Sequence, residues 1–251
     1  MKRVDFIGVP GSGKSAVCRE LMHYRCGEDK WLISSEVKAV AARKLKPVSV
    51  KDYVKRLILG TGALKPIHKF CLESLQYRDL LFNERQKYQK LLTAFCEYLG
   101  CSPEEPLLKM QRARWLLEDI ELLAIADANQ IEKPIIFDEG LTQKIFTWFN
   151  IQDVSQLNGF PLPFAVVHFH CDQAMVHQRL QTRNKVAFQH KFYDADQVVV
   201  MQDRLHRKFQ AAAVMMTSCG VRTLEIDTSK PLQQSAKSVQ QFLQILQGCR
   251  I

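Results

Sequence analysis

The sequence predicts a three-layer α/β fold, and three observations carry that prediction. Five short apolar runs recur along the 251 residues, the stretches between them have helical periodicity, and a glycine-rich loop joins the first run to the first helix. Strands separated by helices pair in parallel through right-handed crossovers, which places helices on both faces of one sheet.

Residues 3–7 (RVDFI) open the chain as a strand. Gly8-Val9-Pro10-Gly11-Ser12-Gly13-Lys14-Ser15 follows and fits G-x-x-x-x-G-K-[ST] at every fixed position. Apolar side chains then recur at helical spacing until Gly27 ends them. Strand, glycine loop and helix stand in the order that a phosphate-binding loop needs. In such a loop successive N–H groups converge on phosphate oxygens, and the helix N-terminus adds the positive end of its dipole. Gly8, Pro10, Gly11, Ser12, Gly13, Lys14, Ser15 and Ala16 form the expected cradle for ATP. Within it Lys14 neutralises the β- and γ-phosphates, and the Ser15 hydroxyl ligates Mg²⁺.

Residues 30–35 read as a second strand ending at Glu36, after which residues 37–130 are helical in pattern. Residues 107–129 make the longest helix there, with Leu108, Trp115, Leu116, Ile120, Leu123 and Ala124 on one face. Arg112 and Arg114 on the same helix read as part of a solvated face. Residues 135–138 (IIFD) have the continuous apolar character of a buried parallel strand, as do residues 164–170. A helix over 173–182, a polar stretch to 193, a long helix over 194–218, a strand over 222–226 and an amphipathic helix over 235–247 complete the chain. The whole is expected to form one domain, residues 1–251, with 37–130 inserted on the substrate side and a lid at about 183–193.

Ligands of such folds bind outside the carboxyl ends of the strands. Asp138 directly ends an apolar run and is the expected Mg²⁺ partner, and Glu139 follows as a second carboxylate able to accept a proton from an attacking hydroxyl. Glu36 holds the analogous place after the second strand, either as a general base or as a helix cap. Arg179 and Arg183, four residues apart, would share a helix face and stabilise charge on a transferring phosphoryl group. Asp227, after the last strand, opens a loop that could lie against a nucleotide base. His168 and His170 alternate on a strand and read as core residues.

The formal charge of +9 points to an anionic partner. Nine Lys and Arg residues stand against Asp52 alone between Lys38 and Lys69, which favours a small anionic acceptor on the helical block. A polynucleotide 5′-hydroxyl as acceptor fits that stretch less well, because Tyr53 is its only aromatic before Phe70, and an NTP-switched binding protein with slow hydrolysis is the alternative from another class. Eight cysteines lie scattered, without C-x-x-C pairs, and read as reduced thiols of a cytoplasmic protein with no zinc site. No run approaches the length of a membrane span, and no leader is expected ahead of the first strand.

Together, Gly8 to Ser15, Asp138-Glu139, Arg179-x-x-x-Arg183 before a lid, and Ile226-Asp227-Thr228-Ser229 after the last strand resemble the nucleoside and nucleotide kinase group of P-loop proteins. The resemblance covers residues 1–36 and 131–247. It implies a five-stranded parallel sheet of order 2-3-1-4-5 and a lidded, ATP- and Mg²⁺-dependent phosphotransferase. Deoxynucleoside and thymidylate kinases carry an arginine right after the acid of the third strand, where this chain has Glu139-Gly140.

Overall fold

A computed structural model describes residues 1–24, 31–44, 75–182 and 195–248. In chain order the elements are β1 (Lys2–Ile7), α1 (Lys14–His23), β2 (Leu32–Ile33), α2 (Ser34–Lys44), α3 (Leu75–Cys101) and α4 (Pro106–Ala128). They continue as β3 (Pro134–Asp138), α5 (Leu141–Trp148), a 3₁₀ turn (Val154–Leu157), β4 (Ala165–His170), α6 (Gln173–Gln181), α7 (Ala195–Ser218), β5 (Arg222–Asp227) and α8 (Leu232–Gly248).

The five strands form one sheet in the order β2-β3-β1-β4-β5, with every neighbouring pair parallel. This is the order that the resemblance implies. In register, Phe6 lies opposite Asp138 and Ile7 opposite His168, so the loop leaving β1 emerges beside the end of β3.

The two-residue period of a strand divides the sheet between two cores. Val4, Phe6, Ile136, Val167 and Phe169 pack with Val17 and Leu21 of α1 and with Val239 and Leu243 of α8. Ile7, Ile135, Phe137 and Val166 face the other way, toward Ile145 of α5 and Phe209 and Met216 of α7. That second core runs on into the helical block, where Tyr88, Leu91 and Phe95 of α3 meet Leu116, Ile120 and Leu123 of α4. At the foot of the sheet Lys2 Nζ donates to the Leu246 and Gln247 carbonyls at 3.1 and 3.2 Å, a cation placed where the α8 dipole is negative.

Two features differ from the sequence expectation. The second strand is only Leu32–Ile33, and α2 begins at Ser34. The cause is local: the Glu36 carboxylate reaches back to accept the Ile33 N–H at 3.0 Å, the reciprocal half of a capping box. Glu36 therefore sits in the first turn of a helix and not at a strand end. Between β3 and β4, moreover, the chain forms α5 and the 3₁₀ turn, neither of which the sequence announced.

No helix among the described residues is long and apolar enough to cross a membrane. The five described cysteines are free thiols. Arg183, the expected lid and most of the basic stretch, from Lys46 to Lys69, lie outside the described residues.

Candidate active site

The loop after β1 turns on left-handed glycines and delivers the chain into α1, whose N-cap is Gly13 at φ 90°. No acid occupies the first turn of α1, so the positive end of its dipole is uncompensated by side chains of that turn. Lys14 is 4% exposed, and its ammonium lies within the ring of the loop, donating to the Gly8 carbonyl at 2.6 Å and the Val9 carbonyl at 3.3 Å. It is also 3.7 Å from Glu139 Oε1.

Beside it, Ser15 Oγ donates to Asp138 Oδ2 at 2.9 Å. The strand register brings these two residues together across 123 positions of sequence. A hydroxyl and one carboxylate at a helix N-terminus suit Mg²⁺, which takes few protein ligands and completes its octahedron with water and substrate phosphate. Among the described residues no cluster of three or more His, Cys, Asp or Glu side chains could hold a metal ion. Within α1, burial first and the Asp138 charge second push the Cys18 thiol up to about 11 and keep it protonated.

Beyond Asp138 the chain turns sharply. Glu139 adopts a left-handed φ of 65°, uncommon for a residue with a side chain, and its carboxylate side chain is 56% exposed at the cavity. Gly140 is the N-cap of α5 and supplies no side-chain bond. The cap comes from β1 instead. Asp5, fully buried, accepts the Thr142 N–H at 2.9 Å and the Thr142 hydroxyl at 2.6 Å, while Arg3 Nε lies 3.2 Å from its other oxygen. A Cβ on residue 140 would stand 2.6 Å from Asp5 Oδ1, so glycine is required there by space. One turn on, the Gln143 side chain accepts the Gly8 N–H at 3.2 Å and ties α5 to the start of the phosphate loop.

These elements enclose a cavity of about 500 Å³ that opens beside Ser15, Asp138 and Glu139. Trp115, Trp148 and Phe209 supply its apolar wall, and Glu118, Asp119 and Lys144 its charged one. Asp119 is ion-paired with Lys144. Burial nevertheless pushes its carboxyl up to about 6, with the lysine pulling the other way. The described wall thus holds four carboxylates, those of Glu118, Asp119, Asp138 and Glu139, against one cation.

A second cleft, of about 390 Å³, lies on the other flank of the loop against Gly13, Ala16, Arg19, Arg179, Thr228 and Lys230. Arg179 belongs to this flank. Its guanidinium donates to the Thr228 hydroxyl at 3.1 Å, the Thr228 carbonyl at 2.7 Å and the Gly11 carbonyl at 3.4 Å. Thr228 in turn donates to the Ser12 carbonyl at 2.7 Å. Asp227 accepts from the Ser229 N–H and hydroxyl at 2.9 and 2.7 Å, which lowers its pKa and fixes the turn that presents Thr228.

The structure therefore brings together Lys14, Ser15, Asp138 and Glu139 on one flank of the loop, with Arg179 and the Asp227 turn on the other. Glu36 caps α2, and its carboxylate is not part of the described cavity wall. His168 is buried, with a pKa lowered to about 4 by burial and by His170, so it is neutral. Arg112 is 7% exposed and not on a solvated face. Asp5, Thr142, Gln143 and Thr228 are site residues that the sequence reading missed. Asp5 alone carried a signal, being an acid inside an apolar strand, where a buried charge needs partners.

A G-x-x-x-x-G-K-S loop between the first strand and first helix of a parallel 2-3-1-4-5 sheet, with an acid ending the adjacent strand, defines a P-loop kinase-like fold. No protein-family model and no curated protein matches the chain. Among solved structures it is similar to a deoxyadenosine kinase from M. mycoides with products dCMP and a flexible dCDP bound, at 13% identity and a TM-score of 0.49, over 96% of this chain and 98% of that one. It is also similar to TT1252 from Thermus thermophilus, at 13% identity and a TM-score of 0.39, over 98% and 97% of the two chains. Overlaps this loose say nothing of substrate.

Proposed function

We propose that this protein is an ATP- and Mg²⁺-dependent phosphotransferase that moves a γ-phosphoryl group to a hydroxyl of a small acceptor. The single observation that carries the reading is the Ser15–Asp138 hydrogen bond, 2.9 Å long, at the mouth of a cavity of about 500 Å³. A hydrolase or switch needs the loop and the acid, whereas a walled cavity at the phosphoryl end has the form of an acceptor site.

In this reading the loop amides and Lys14 hold the phosphates, and Ser15 and Asp138 hold Mg²⁺. A divalent cation held by these two residues would supply positive charge against the charge that builds on the phosphate oxygens. Glu139, at the cavity and 3.7 Å from Lys14, takes the proton of the attacking hydroxyl. Trp115 and Trp148 orient the acceptor and exclude water, and positioning supplies much of the rate. Arg179 and the Asp227–Thr228 turn brace the loop and flank the nucleotide base, and Arg183 would join from the lid. The four carboxylates of the described wall favour a neutral hydroxyl compound over the anionic acceptor that the net charge suggests.

The test is a screen of neutral and anionic hydroxyl compounds with γ-labelled ATP, run on wild type, Lys14→Ala and Asp138→Asn. Transfer to a member of the panel, lost by at least about a hundredfold in both variants, is the expected result. Steady ATP hydrolysis unaffected by any acceptor would overturn the reading in favour of a switch.

A further inference from the structure

Next to the acceptor cavity lies another cleft, of about 810 Å³, and Thr147, Trp148 and Leu205 line both. One wall is aromatic. The rings of Tyr98 and Trp148 are nearly parallel, 13° apart in plane and 6.5 Å between centroids, with Phe149 edge-on to Tyr98 at 84°. Buried Arg112 fixes this wall. Its guanidinium lies 5.6 Å from the Tyr98 centroid and 5.7 Å from that of Trp148, and is paired with Glu104 at 2.6 Å. Glu104 therefore neutralises Arg112, and the pair acts as scaffold.

Two other cations line the cleft from α7. Arg204 and Lys208 stand one helical turn apart, and neither has a carboxylate partner among the described residues. Lys208 meets the Thr147 and Phe149 carbonyls at 3.5 and 3.4 Å. Its pKa is lowered, first by burial and then by Arg204 and Arg112. The remaining carboxylate at the cleft, Glu97, is exposed. Like charges crowded in a cleft with an aromatic wall call for an anion.

We propose that this cleft is a second small-molecule site, which binds a flat unsaturated ring against Tyr98 and Trp148 and an anionic group of the same molecule on Arg204 and Lys208. The chemistry is that of an aromatic ring system bearing a sulfonate, carboxylate or phosphate. No residue of the phosphate loop lines the cleft.

Fluorescence titration of the full chain with 1-anilinonaphthalene-8-sulfonate tests it, with uncharged N-phenyl-1-naphthylamine as the matched probe. Each cation is expected to matter by about tenfold, as charge-assisted hydrogen bonds do. Arg204→Gln/Lys208→Gln should weaken the anionic probe by about a hundredfold and leave the neutral one unchanged. Equal affinity of wild type and double variant for the anion, or equal weakening of both probes, overturns the assignment.

Discussion

Gly140→Ala is the sharpest test of how the acceptor side of the site is held. The added methyl would fall 2.6 Å from Asp5 Oδ1, 2.7 Å from Phe137 Cβ and 2.9 Å from Asp5 Cγ, all closer than carbon contacts allow. None of these can yield easily. Phe137 is buried in the core, and Asp5 is pinned by Thr142 and Arg3. Overpacking of this kind costs about 1–3 kcal/mol, and displacing Asp5 from Thr142 adds about 1 kcal/mol for a lost helix cap. The expected loss is about 3 kcal/mol, or about 1 M in urea midpoint for an m-value near 3 kcal/mol/M. Because Gln143, on the same helix, holds the Gly8 N–H, MgATP affinity should fall as well. Gly100→Ala is the control, since nothing lies within 4 Å of that added methyl, and it should be neutral or stabilising by up to about 1 kcal/mol. A Gly140→Ala protein with the wild-type urea midpoint would refute the steric reasoning and with it the Asp5 clamp.

Three further outcomes follow from the same geometry. Asp119 rises from 3.8 to about 6, so its ionisation in the fold costs about 3 kcal/mol that is fully present above pH 6 and absent below pH 4. Asp119→Asn should therefore gain on wild type, in chemical denaturation, as pH rises through that window. His168 falls from 6.5 to about 4, so its contribution is present above pH 6.5 and lost on acidification toward pH 4, about 3 kcal/mol in the opposite sense. His168→Gln should lose that acid sensitivity, and the two effects mask each other in wild type. Glu36→Ala should destabilise by about 1 kcal/mol through the lost cap while leaving kcat unchanged, whereas a hundredfold fall in phosphoryl transfer would make Glu36 the base after all.

What the sequence made legible is what local chemistry dictates. Gly8 to Ser15 declares a phosphate loop because each position has one backbone or side-chain task, and Asp138 is visible because it ends an uninterrupted apolar run. The residues that hold the loop act across the chain. Thr142 meets Asp5 over 137 positions, Gln143 meets Gly8 over 135, and Thr228 meets Ser12 over 216, and no local pattern encodes such pairs. Glu36 is the helix cap that one of its two readings expects, but the end of the second strand is misplaced for a subtler reason. Trp31-Leu32-Ile33 reads as a strand that Ser34-Ser35 could continue, yet serines followed by a glutamate also open a helix, and the Glu36–Ile33 bond decides between them. Arg112 was legible in principle, since it falls in the buried stripe of Leu108, Leu116 and Ile120 and not beside it.

The two flanks of the loop are braced by different means, and the difference bears on function. On the flank of the cavity of about 500 Å³ the brace is a buried charge: Asp5 grips the start of α5, and α5 grips Gly8 through Gln143. Such a clamp is rigid, because separating its members leaves an uncompensated carboxylate in the core. On the other flank the brace is Thr228, bonded at once to the Ser12 carbonyl, the Arg179 guanidinium and the end of β4 through the His170 carbonyl. That network belongs to the loop after β5 and to the helix α6. A displacement of Arg179 would act on Gly11 directly and on Ser12 through Thr228, whereas Ser15 is tied to Asp138 at the end of β3. The end of the loop where phosphoryl transfer is proposed is thus tied to the sheet through Asp138 and Asp5, and its other end to α6 and the loop after β5.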